Sequence, residues 1–320
     1  AIELNPKFTD IYFLITRLIR DSDLSQLNNS KLNKILNLLL DKNNISHNEL
    51  FKAFNYLYKN TITSTRNKLN YDYSKTELLF NDKLIINSLK KIVFRDPNWE
   101  KLLTQVRRKM CHRIAQRIES INQSDIQFLI ALAQQCFLNE YVYSLTEEEN
   151  RYIDNIINTS INGDINEINI SIIACYYPLY KLLVQIPSLK SFNPSNQIFK
   201  ELLSLQISEP LEEIKLSQNI KKLGSINNDI SLKVKSQYEK NPYPRWRYGN
   251  YIEMQKIPIS HAINTEIKPN SISFDTGDRQ LKILAAGCGT GNQILQANRY
   301  QNNKITAIDL SLSSLSYAQR

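Results

Sequence analysis

Glycine is scarce in this 320-residue chain: there are 7, and none precedes Gly163. A β-rich domain needs frequent turn residues that tolerate positive φ. The first half is therefore read as helical. Histidine is rarer still, with His47, His112 and His261 only. The 4 cysteines (Cys111, Cys136, Cys175, Cys288) lie far apart, without a Cys-x-x-Cys pair. Neither zinc-ligand spacing nor a disulfide framework is present, so no metal is expected. Cys111 and His112 are neighbours, and neighbours on a helix point apart, which excludes them as a nucleophile–base pair. No apolar run reaches the roughly 20 residues of a membrane span. No signal-peptide pattern opens the chain, so a cytoplasmic location and no membrane partner are expected.

Lysine, asparagine, isoleucine and serine are plentiful instead, and the formal net charge is +9. Such a charge invites a nucleic-acid partner. Its densest stretch is Arg107-Arg108-Lys109, followed by Arg113 and Arg117. Lys109, Arg113 and Arg117 recur at helical spacing opposite Val106, Met110, Ile114 and Ile118. A solvated helix face accounts for that pattern, and nucleic acid is not expected as a partner.

Helix signals recur through the first two thirds. Asp10 opens a run with Ile11, Leu14, Ile15 and Leu18 on one face, and Leu32, Ile35, Leu36 and Leu39 repeat the spacing. Capping boxes are expected at Ser46–Glu49 and Ser74–Glu77, and a further helix is expected to start at Thr146–Glu149. Asp96-Pro97 is an N-cap with proline at the first helical position. Ser124–Gln127 should start an apolar helix through Leu129, Leu132, Ala133 and Cys136. Further helices are expected over 166–184, 196–206 and 210–217.

The organising stretch lies late: an apolar run, Leu281–Ala286, stops at Gly287-Cys288-Gly289-Thr290-Gly291 and resumes with helical spacing at Ile294, Leu295 and Ala297. This reads as strand, glycine turn, helix. Glycine lets the backbone turn tightly and admits a ligand where a Cβ would intrude. The exposed N–H groups of a helix start suit a polar or anionic ligand group. The next strand, Lys304–Ile308, ends on Asp309, some eighteen residues after Gly291, where a carboxylate can accept hydrogen bonds from a ribose diol. A nicotinamide fingerprint wants a sixth-position glycine where this chain has Asn292, which disfavours a nicotinamide enzyme.

This segment resembles motifs I and II of class I S-adenosylmethionine (SAM) dependent methyltransferases. Many members of that class carry an acid where this chain has Ala285. Ala131–Tyr143 and Gln237-Tyr238-Glu239-Lys240-Asn241-Pro242-Tyr243-Pro244-Arg245-Trp246 sharpen the likeness. Both resemble bacterial proteins that join tetratricopeptide repeats and a helical domain to such a methyltransferase. Ala1–Pro6 resembles the end of one such repeat and the step into the next. The resemblance implies a transferase with SAM as cofactor, held by Gly287, Cys288, Gly289, Thr290, Gly291, Asp309 and Leu310. It further implies Tyr243, Arg245 and Trp246 as a cap over the cofactor, with an aromatic hinge between domains as the alternative for those three.

The expected architecture is mostly α: a trailing repeat-like helix over 1–20, an all-helical domain over 21–230, a linker or cap over 231–280, and an incomplete Rossmann-like SAM-binding domain over 281–320. A doubly wound fold of this type needs about five to seven strands, so two are expected to leave the methyltransferase an inactive fragment on its own. SAM binding by the chain alone is then expected to be weak or nil, and no catalytic residue is assigned. A protein substrate, or a second polypeptide completing the domain, is the expected partner. The alternative is a degenerate remnant or helical interaction module without chemistry.

Overall fold

The structure, a computed structural model, describes residues 10–68, 77–118, 121–163, 165–249, 256–269, 271–273 and 280–320. Ala1–Pro6 and the first three residues of the Ser74–Glu77 box lie outside them. The described chain is mostly helical, with one pair of parallel strands. It divides into two compact units. One is Ile15–Leu211 with Trp246–Tyr248; the other comprises residues up to Leu14, Glu212–Arg245 and Gly249–Arg320.

The helices are α1 (Asp10–Asp21), α2 (Asn29–Leu40), α3 (Phe51–Lys68), α4 (Glu77–Phe80), α5 (Lys83–Lys91), α6 (Pro97–Gln116), α7 (Gln123–Leu138), α8 (Glu147–Ile161), α9 (Glu167–Ala174), α10 (Gln197–Leu203) and α11 (Glu209–Ser217). Asparagine starts several of them. Asn28, Asn122, Asn166 and Asn196 each place their side-chain oxygen on first-turn N–H groups that have no partner inside the helix. The asparagine-rich composition is thus in part a set of helix starts. Capping boxes form at Thr146–Glu149, where a helix start is expected, and at Asn122–Asp125, two residues ahead of the expected start at Ser124. The box at Ser46–Glu49 does not form: Ser46 makes no side-chain cap bond, and Glu49 pairs with Arg20 at 2.9 Å.

Helix α7 is the axis of the first unit. It is buried on all sides from Phe128 to Leu138 and packs on α5, α9 and α10. Between α3 and α6, Phe54 stacks on Trp99 at 5.3 Å, and the Trp99 indole N–H donates to Asn55 Oδ1 at 3.1 Å. Two glutamines of the core are fully used. Gln135 ties the chain after α5 through Phe94 N–H and the Leu89 and Ile92 carbonyls. Gln206 donates to the Ala133 and Ala174 carbonyls, each at 3.0 Å, while its oxygen accepts from Tyr141 and Leu179.

The expected helices over 196–206 and 210–217 run on as one. A π turn, Ser204–Ser208, joins α10 to α11, with the Glu209 N–H donating to Ser204 O. Pro210 lacks an N–H, and its ring would crowd the carbonyl four residues back in a regular helix; the wider turn relieves that. The helix expected over 166–184 is shorter than predicted, ending at Ala174 and followed by a 3₁₀ turn at Leu179–Leu182.

A buried charge network joins α6 to α8. Arg107 is 2 % exposed, and its guanidinium lies 3.1 Å from Glu149 Oε1 and 2.7 Å from the Ser144 carbonyl. Tyr176 donates to the same Glu149 oxygen at 2.7 Å, and Arg108 bonds the other at 3.0 Å. Burial opposes the Glu149 charge, but the Tyr176 hydroxyl and Arg107 outweigh it and hold the carboxyl below its usual range. The basic stretch is therefore only partly a solvated face: Arg107 is interior, and Arg113 pairs with Asp125 at 3.6 Å.

The second unit holds α12 (Asp229–Lys240), α13 (Ile259–Glu266), β1 (Leu281–Ala286), α14 (Asn292–Ala297), β2 (Asn303–Ile308) and α15 (Leu312–Gln319). The stretch 231–280, expected as linker or cap, thus contains most of α12 and all of α13. β1 and β2 pair in parallel from Leu281↔Asn303 to Ala286↔Ile308. Their burial alternates: one face is half-covered, while Lys282, Leu284, Lys304 and Thr306 face outward.

Candidate functional site

Because β1 and β2 are in register, both strands finish at the same level. The Ile308 carbonyl accepts from Gly287 N–H at 2.9 Å and Cys288 N–H at 3.1 Å, which fastens the start of the glycine turn to the neighbouring strand tip. Gly287, Gly289 and Gly291 take φ of +69°, +52° and +99°. Their surroundings divide them into two roles. At Gly287 and Gly289 nothing lies within 4 Å of where a Cβ would stand, so that side of the turn is open. At Gly291 a Cβ would meet Ala318 Cβ at 2.9 Å, so this glycine serves close packing of the turn on α15.

Asp309 follows β2 directly. Its Oδ2 accepts the Gly289 N–H at 2.8 Å, and its Oδ1 accepts the Ser311 N–H at 2.9 Å. An ionised carboxylate offers about four acceptor positions, and these two bonds leave others available. Cys288 is buried beside it, and burial first, then the Asp309 charge, pushes the thiol's pKa up. A thiol in that state is a packing group rather than a nucleophile. Thr290 is buried as well, and its hydroxyl donates to the Pro244 carbonyl at 2.9 Å. Leu310 is exposed next to Asp309.

The structure therefore brings Gly287–Gly291 and Asp309 together, with Pro244 bonded to the turn. Tyr243, joined to Pro244 by a cis peptide bond, is 44 % exposed. Arg245 is buried, 4.0 Å from Glu213 and over the Tyr317 ring at 5.6 Å, so its guanidinium is engaged within its own unit. Trp246 belongs to the other unit, together with Arg247, which bonds Gln134 at 3.2 Å, and Tyr248, which packs edge-on against His47 at 5.0 Å.

Sequence reasoning missed Glu239 and Ser311. Ser311 caps α15 by accepting the Ser314 N–H at 3.0 Å, a start that Ser-Leu-Ser-Ser could have signalled. Glu239 accepts the Leu312 and Ser313 N–H groups, each at 2.9 Å, and nothing local in the sequence marks it. Among the described residues no group of three or more His, Cys, Asp or Glu side chains is placed to hold a metal ion, and no helix is long and apolar enough to cross a membrane. No protein-family model, curated protein or solved structure matches the chain.

Proposed function

We propose that the tips of β1 and β2 form the nucleoside-holding part of a class I SAM-dependent methyltransferase domain of Rossmann-like type. The observation that carries this reading is the Asp309 carboxylate, bonded to Gly289 N–H at 2.8 Å across two parallel strand tips. That bond places an acid with spare acceptor capacity against an open glycine turn, the arrangement a ribose diol requires. The residues fit a SAM ribose and its flanking chain. Asp309 would accept from the ribose hydroxyls, and the backbone at Gly287 and Gly289 would lie along the ligand where a Cβ would otherwise stand. Tyr243 supplies an exposed aromatic face one residue from the Pro244–Thr290 contact. When bound, SAM supplies an electrophilic methyl group.

One position works against tight binding. Ala285 offers no carboxylate to the methionine ammonium, so affinity is expected to be weak. Calorimetric titration of the chain with SAM, its demethylated product and adenosine tests the reading. Binding of all three, lost in Asp309→Ala, is the expected outcome; binding that survives Asp309→Ala would overturn the assignment. A helical interaction module without chemistry is the second reading. It is favoured by α12, which buries none of its residues and leaves Ile230, Val234 and Tyr238 in an exposed row.

A further inference from the structure

We propose that the stretch Glu239–Arg245 is a bracket that sets the separation of the glycine turn and Asp309, with Glu239 the positioning residue that acts through Asp309. The proposal rests on the nucleoside-site reading above. It names a part of that site lying outside both strand–turn segments.

A helix start leaves its first N–H groups without internal partners. At α15 those groups are shared out between two residues. Glu239 takes Leu312 N–H and Ser313 N–H through its two carboxylate oxygens, and Ser311 Oγ takes Ser314 N–H. The Ser313 hydroxyl adds contacts of 2.8 Å to Glu239 Oε2 and 3.0 Å to the Glu239 carbonyl. Burial opposes the charge on Glu239, but the Leu312 and Ser313 donors outweigh it and hold the carboxyl below its usual range. The cap is therefore anionic at neutral pH, where it also complements the positive end of the α15 dipole.

The backbone fixed in this way begins three residues after Asp309, and Ser311 N–H is itself bonded to Asp309 Oδ1. Glu239 thus holds the far side of the short arc that carries the acid. Further along the bracket, the Pro244 carbonyl receives the Thr290 hydroxyl from the glycine turn, and Arg245 lies over Tyr317 of α15. One continuous stretch grips the chain beyond each strand tip. Between those grips lies the Gly289–Asp309 bond. Glu239 bonds Leu312 and Ser313 rather than Gly289, so its effect on Gly289 travels through the arc.

Hydrogen exchange on the full chain, resolved to single amides by mass spectrometry and run without ligand, tests the bracket. In Glu239→Ala the Gly289 amide is expected to exchange about tenfold faster, along with Leu312 and Ser313. Acceleration confined to Leu312 and Ser313 would reduce Glu239 to a plain helix cap and overturn the proposal. Should Glu239→Ala fail to fold, Glu239→Gln, which keeps one acceptor oxygen, and Thr290→Val, which removes the grip on Pro244, take its place. Each is expected to speed Gly289 exchange, and an unchanged Gly289 amide in both would overturn the proposal. A parallel SAM titration should show affinity reduced about tenfold in Glu239→Ala; equal affinity to the parent chain would also count against positioning. If the parent chain binds no SAM, the nucleoside reading fails while the exchange measurement still decides the bracket.

Discussion

The two units hold their structure by different means. In Ile15–Leu211 an apolar axis, α7, is wrapped by helices, and long polar side chains are drawn inside onto named partners. In the unit with the strands, a parallel pair leaves Leu284 63 % exposed. Parallel sheets ordinarily have both faces covered. That second unit depends on local hydrogen bonds at loop and helix ends: Gly289 to Asp309, Leu312 and Ser313 to Glu239, Thr290 to Pro244. Apolar burial organises one unit, and polar bonds at chain turns organise the site of the other.

The contrast is best broken at Arg107. Arg107→Met would leave Glu149 without its buried counter-charge, at an expected cost of about 3–5 kcal/mol. Both tryptophans, Trp99 and Trp246, belong to the helical unit, so chemical denaturation followed by tryptophan fluorescence reports on that unit. A loss below about 1 kcal/mol would show that apolar packing alone specifies it. A second test uses acid. His47 is buried, and its pKa is lowered from 6.5 to about 4 by burial first and then by the Lys91 charge, with Arg247 adding to it. The folded state therefore holds this ring neutral. Its stability contribution is complete above the unfolded value of 6.5 and is lost as pH falls toward 4, amounting to about 3 kcal/mol. His47→Asn should flatten that part of the stability–pH curve relative to the parent chain, and coincident slopes would remove His47 from the account.

The smallest effect belongs to the glycine turn. Gly291→Ala must adopt φ near +99° and push its methyl against Ala318, for an expected loss of about 1–3 kcal/mol. Gly287→Ala meets nothing within 4 Å, so it carries only the positive-φ penalty of about 1–2 kcal/mol. Thermal melting of both variants compares packing with backbone strain at one turn. Equal shifts would mean that contact with α15 adds nothing.

Periodicity and local chemistry made much of the fold legible in advance. The apolar spacing of α2 and the Asp96-Pro97 start of α6 are short-range patterns, and the structure has both. So is the strand–turn–helix order at Gly287–Gly291, because only glycine takes those φ values cheaply. What escaped was long-range. Arg107 stands in a basic run that looks solvated, and only folding brings Glu149, 42 residues away, against it. Glu239 sits 74 residues before Ser313, in a stretch expected as linker. Asparagine is plentiful throughout, and its abundance alone does not show that Asn122 and Asn166 start helices. At Ser46 the serine half of the expected box is missing, and Glu49 pairs with Arg20, 29 residues away.

The π turn at Ser204–Ser208 adds one residue to a helix that otherwise keeps its step. Each residue advances an α-helix by about 100°. That single insertion sets the azimuth of Glu209, which faces Arg247 at 3.6 Å. Deleting one residue there would leave the helix about as long but swing Glu209 through more than a quarter-turn, separating acid from base without altering either.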